Sequence, residues 1–175
     1  MLVWTDIETT GLRPEDKILE IAVGVTDDNL ELVGEIWSMV VRQPVDLLTI
    51  DPKVVQMHSV NGLWADVAAS KYDLLEARTG FINTVKRYNA AGKDTPLCGN
   101  CVHSDRAWLQ RWIPEVLDHL SYRILDVDSL KSAALRWRPS LLNKMPCSSK
   151  DSVHRAAKDV ELAIAQAKYF KAELF

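Results

Sequence analysis

Two carboxylates stand one residue apart inside an apolar run, in VWTDIETTGL at residues 3–12, and no other stretch constrains the fold as tightly. The apolar, β-rich content predicts a strand over residues 2–7. Alternate residues of a strand share a face, so Asp6 and Glu8 project together while Ile7 points away. Like charges that close repel, and a half-buried pair is tolerated only if one member is protonated or a cation neutralises both. Hard oxygen donors suit Mg²⁺ or Mn²⁺. For an isolated D-x-E the simpler reading is two carboxylates at an exposed strand end, so the context has to decide.

Past the turn GLRPEDK, the segment ILEIAVGVTDD (18–28) predicts a second strand. LELVGEIWSMVVR (30–42) predicts a third, joined to the second through a hairpin at TDDNL. From TIDPKVVQMHSVNGL onward the apolar spacing turns helical. Leu74, Leu75, Phe81, Ile82, Val85 and Tyr88 mark a helix over 72–90, closed by Gly92 and Pro96. TPLCGN (95–100) reads as a short strand, SDRAWLQRWIPEVLDHL (104–120) as a helix, and YRILDVDSL (122–130) as a short strand entering another helix. A last helix over 152–174 places Ala156, Val160, Ala163, Ile164, Ala167 and Phe170 on one face. Strands interspersed with helices predict an α/β sheet covered by helices. A length of 175 residues with 47% hydrophobic content suits one domain, 1–175.

Three further residues change the weight of the first pair. Asp105, in CVHSDRAWL, falls at a predicted helix start, where the dipole tolerates a carboxylate. SVHRAAKDVELA puts His154 and Asp159 five residues apart on the last predicted helix, in the same broad sector but out of i, i+4 register. Singly these residues would be a helix cap and a solvated helix face. Together with Asp6 and Glu8 they form an ordered set of four carboxylates and one imidazole.

With that set in place, the chain resembles the DEDD-type 3′-5′ exonucleases that carry a histidine, and among them the oligoribonucleases. LVWTDIETTGL, ILEIAVGVTD, PLCGN, DRAWL, PEVL, YRILDVDSLK, RWRP and HRAAKDVELAIAQAKYF follow the family's segments in order. The resemblance implies an RNase H-like fold, a five-stranded mixed β-sheet flanked by α-helices. It implies Asp6, Glu8, Asp105 and Asp159 as ligands of two Mg²⁺ or Mn²⁺ ions, with His154 as general base. It further implies Leu12 as a wedge between bases, His58 and Arg123 at a 5′-phosphate cap, and Tyr122 reaching into the partner's site of a homodimer. Lys53 matches a family tryptophan, and Cys101 and Asp128 match family serines. An aspartate facing a phosphate is repulsive unless it turns away or pairs with Arg123.

The implied activity is metal-dependent 3′-5′ hydrolysis of short single-stranded RNA, dinucleotides included, to 5′-mononucleotides. A net charge of -3 argues against a broad basic face for long nucleic acid, which favours a short substrate. The alternatives are a broader exonuclease acting on DNA or RNA 3′ ends, and a catalytically inactive binding scaffold. Three cysteines, no signal peptide and no run of 18 apolar residues predict a soluble, reduced, cytoplasmic protein with no membrane partner. Cys98-x-x-Cys101 lacks the second ligand pair of a zinc site and reads as two partly buried thiols. Trp4, Trp37, Trp108, Trp112 and Trp137 read as packing or interface residues, and Trp64 fits either core or substrate.

Overall fold

Nine consecutive residues of one strand, Ile18–Thr26, are buried, which only a central strand covered on both faces achieves. The computed structural model describes residues 1–147 and 154–174. Five strands, β1 (Leu2–Thr9), β2 (Ile18–Thr26), β3 (Trp37–Val40), β4 (Leu97–Gly99) and β5 (Ile124–Asp126), form one sheet in the order β3-β2-β1-β4-β5. β2 runs antiparallel to β1 and β3, while β1, β4 and β5 are parallel. Among the described residues the helices are α1 (Pro52–Val60), α2 (Leu63–Ala69), α3 (Leu74–Arg87), α4 (Val102–Trp112), α5 (Val127–Trp137) and α6 (Ala156–Leu174).

Strand alternation sorts the core into two clusters. Val3, Ile21, Val23 and Leu97 face one way and pack with Phe81 of α3 and Leu109 of α4. Trp4, Ala22 and Cys98 face the other way and pack with Val127 of α5 and Val160, Ala163 and Phe170 of α6. Each Val, Leu, Ile or Phe side chain among them contributes roughly 1.5–3 kcal/mol when fully buried. A third cluster, Leu19 with Leu63 and Val67, seats α2.

Several predicted elements come out shorter. The strand expected over 30–42 is a continuous strand only over Trp37–Val40, with an isolated bridge from Leu32 to Thr26 before it. Leu30 adopts a positive φ of 69°, and Gly34 lies so close to Tyr88 that a Cβ would sit 2.1 Å from its hydroxyl, so the chain leaves the ladder there. The helix expected over 104–120 ends at Trp112, and Pro114, which cannot continue a helix, opens a 3₁₀ turn over Pro114–His119. Residues 122–130 hold the expected short strand, Ile124–Asp126, and the start of the helix that follows, because the Asp126 side chain accepts from Asp128 N–H and caps α5 at once. The last helix, expected over 152–174, begins only at Ala156, so His154, expected on that helix, lies before it; residues 152–153 lie outside the described residues. Trp4 is wholly buried, whereas Trp137 is 82% exposed and so is no packing residue here. Cys98 is buried and Cys101 exposed, so the thiols do not share one environment.

Candidate active site

Asp6 and Glu8 share a sheet face with Trp4, the face that α6 covers. They occupy the C-terminal half of β1, at the carboxyl ends of the parallel strands, where open α/β sheets present their clefts. Asp159 lies in the first turn of α6, and His154 precedes the helix by two residues. One ligand atom each from Glu8, His154 and Asp159 lies within 4.8 Å of the other two. Asp105 comes from the opposite layer, buried in the first turn of α4. The start of that helix is fixed by Cys101, held at φ 52° while its N–H donates to Asp126 at 3.0 Å.

The carboxylates strain one another. Burial, then the charges of Asp159 and Glu20, push Asp6 from 3.8 up to about 7. Glu8 is pushed from 4.5 up to about 8 by burial and by Asp6, Asp159 and Glu20, against the opposing pull of Arg155. Asp105 is raised well above the usual range by burial and by Asp6, opposed by its own N–H and that of Ile7. Burial also raises Asp159, with the His154 imidazole pulling it back. Clustered oxygens that resist ionisation become an attractive set once cations share the space, so this donor set fits hard divalent ions.

The RNase_T exonuclease family model matches residues 3–167 of the chain. The oligoribonuclease of Coxiella burnetii is 39% identical over 175 residues, spanning 99% of this chain and 93% of that protein. The oligoribonuclease of Escherichia coli K12 is 37% identical over 172 residues, spanning 97% and 93%. The chain belongs to the exonuclease family, among the oligoribonucleases. The fold is RNase H-like, as the solved structures also indicate. An E. coli exonuclease I bound to single-stranded DNA, in its zinc form, superposes with a TM-score of 0.69 at 16% identity over 99% of this chain. This chain spans only 40% of the length of that exonuclease I.

The residues expected on the substrate side of an oligoribonuclease are more dispersed. Leu12 is 90% exposed and lines two clefts, of about 470 and 330 Å³, one toward Ile50 and Val54, the other toward Trp108 and Arg111. His58, expected at a phosphate cap, is instead fully buried behind Glu8. Its Nε2–H donates to the Thr9 carbonyl at 3.0 Å, its ring meets Trp64 edge-on, and burial lowers its pKa. Trp64 is thereby a packing residue. Tyr122 is exposed, with the Arg123 guanidinium 5.4 Å from its ring centroid. Asp128 makes no ion pair with Arg123 among the described residues and lies beside the Cys101 thiol, helping to raise its pKa after burial. Lys53 is exposed in the first turn of α1.

Sequence reasoning passed over Glu20, Asn61, Asp66 and Arg155. Glu20 pairs directly across from Glu8 in the β1–β2 ladder and is 3% exposed. The available cue was a lone carboxylate in the otherwise apolar ILEIAVGV.

Proposed function

We propose that this protein is a metal-dependent 3′-5′ exoribonuclease that degrades short oligoribonucleotides, dinucleotides included, to 5′-mononucleotides, acting as a single exonuclease domain over residues 1–175. The observation that carries the reading is the meeting of Glu8, His154 and Asp159 beside Asp6, with Asp105 arriving from the other layer. Asp6, Glu8, Asp105 and Asp159 hold two Mg²⁺ or Mn²⁺ ions, and His154, exposed at the mouth, is the general base. When bound, the ions neutralise the scissile phosphate and acidify the attacking water. His154 takes that water's proton as its oxygen bonds to phosphorus, and the P–O3′ bond breaks, the departing O3′ taking a proton from solvent to leave a 3′-hydroxyl on the shortened chain. Leu12 between its two clefts suits a wedge that parts two bases. His58 supports the site from behind, through Thr9 and Asn61, instead of lining a phosphate cap.

Hydrolysis of labelled RNA from two to about twenty nucleotides, with a matched DNA series, tests the reading. Chains of two to five nucleotides should be cleaved fastest per end, RNA ahead of DNA, and excess EDTA should abolish turnover. Equal rates on all lengths, or on DNA, would instead mark a general exonuclease, and metal-dependent binding without cleavage a scaffold.

The active species in this proposal is a homodimer in which Tyr122 serves the opposite site. Support comes from Tyr122, just before β5, with Ile124 of β5 and Leu135 and Trp137 of α5, which are exposed at 76%, 39%, 59% and 82%. In a symmetric pair the same patch faces itself. Mixing Asp6→Ala with Tyr122→Ala chains should restore activity above either parent, because one site per heterodimer then has intact carboxylates and a partner tyrosine. Subunit exchange without any gain would remove Tyr122 from the site. We place the enzyme in the cytoplasm, a reading supported by three unpaired cysteines, two of them exposed.

A further inference from the structure

Glu20 presents a physical puzzle. It is a fifth carboxylate beside four, buried, and its charge adds to the strain on Asp6, Glu8 and Asp159. Both of its oxygens are already engaged, so it is not a spare ligand. Oε2 accepts from Arg155 Nε at 3.0 Å and from the Ala156 N–H at 3.1 Å, while Oε1 accepts from Arg155 Nη2 at 3.0 Å. Glu20 thus satisfies a backbone N–H at the start of α6, the task of an N-cap side chain, from 136 residues away in the chain.

Arg155 is held on every side. Its remaining Nη1 lies 2.8 Å from Asp66 of α2, and its carbonyl accepts from the N–H groups of Lys158 and Asp159. The residue before it is gripped as well, because the Asn61 side-chain amide donates to the His154 carbonyl. Asn61 in turn is bound to the Leu63 N–H and to His58. His154 itself is exposed, and among the described residues these backbone contacts are what hold it. We infer that Glu20 and Arg155 form a positioning pair that sets His154 against the carboxylate cluster, with Asp66 and Asn61 tying that pair to the α1–α2 arm. The inference rests on the nuclease reading above for the role of His154, and on geometry alone for the clamp. Arginine is required, since a planar fork spans two carboxylates that a single ammonium cannot.

The test combines kinetics with a readout independent of turnover. Arg155→Ala should lower kcat on a short RNA by about 10- to 100-fold through misplacement of the base, while KM and Mn²⁺ affinity by calorimetry stay within about threefold. Arg155→Lys should recover only part of that loss. In a His154→Ala background, adding Arg155→Ala should cost less than about threefold more, because both changes remove one function. Imidazole ¹⁵N–¹H spectra should show one sharp His154 pair in the wild type and a broadened or multiple one in Arg155→Ala, with His58 unchanged. Should Arg155→Ala fail to fold, Asp66→Asn, at a half-exposed side chain, should give the same pattern in weaker form. An unchanged kcat, a full additional loss in the His154→Ala background, or an unaltered His154 spectrum would each overturn the pair. If the wild type cleaves no RNA, the nuclease reading fails while the spectra still decide the clamp.

Discussion

Asp6 carries conflicting demands in a single side chain. In the role proposed for it the carboxylate must be ionised to hold a cation, yet burial and the neighbouring charges of Asp159 and Glu20 hold its pKa near neutrality, at about 7. Asparagine keeps the shape and drops the charge. Asp6→Asn should therefore abolish turnover, by at least about 10³-fold, while the metal-free protein melts at or above the wild-type temperature. A variant that loses activity together with several degrees of Tm would show a structural role instead. At this scale the sequence was informative where chemistry depends on local period. The shared face of Asp6 and Glu8 follows from strand alternation alone, and Asp105 sits in a first helical turn as its context suggested, whereas Asp159 does so only because α6 begins at Ala156 and not at 152. Glu20 was illegible because its meaning depends on Arg155, 135 residues away, and His58 because burial cannot be read from a helical histidine.

At the scale of elements, the short strand β4 governs how α4 delivers Asp105. Gly99, its last residue, passes so close to β1 that a Cβ would sit 2.7 Å from the Thr5 carbonyl oxygen. That oxygen is backbone and cannot yield without moving a strand. Gly99→Ala should cost about 1–3 kcal/mol of stability and also weaken Mn²⁺ binding, since β1 and the start of α4 shift apart. Gly80→Ala is the matched control: a Cβ there meets the Trp37 ring at 2.2 Å, next to β3 and away from the carboxylates. It should lower Tm while kcat stays near wild type. Denaturant titration beside calorimetry separates the two. The order of elements was visible in apolar spacing, but their ends were set by single residues. Pro114 was a readable stop inside the predicted helix, whereas the approach of Gly34 to Tyr88 exists only after α3 has docked.

For the molecule as a whole, the raised carboxylates couple stability to pH. Between their ordinary values of 3.8 and 4.5 and their folded values of about 7 and 8, Asp6 and Glu8 hold protons in the native state that the unfolded chain releases. Stability contributed by these groups therefore falls as pH rises through that window. The metal-free protein should lose Tm from about pH 5 to pH 8, each kcal/mol lowering it by about 2–4 °C in a chain of this size. Saturating Mg²⁺ or Mn²⁺ should cancel the slope, since cations favour the ionised cluster. A Tm independent of pH without metal would mean that these carboxylates ionise freely and that the mutual strain is absent.

The bond between Glu20 and the start of α6 has a consequence for synthesis. β1 and β2 are made before α6, so the ladder that sets Glu8 opposite Glu20 can form in a partly made chain, whereas Arg155, 135 residues beyond Glu20, and its neighbours His154 and Asp159 follow later. Until α6 has docked on the sheet, such a chain holds an acidic pocket that lacks the proposed base and the proposed ligand Asp159, and under the proposed mechanism it would not turn over.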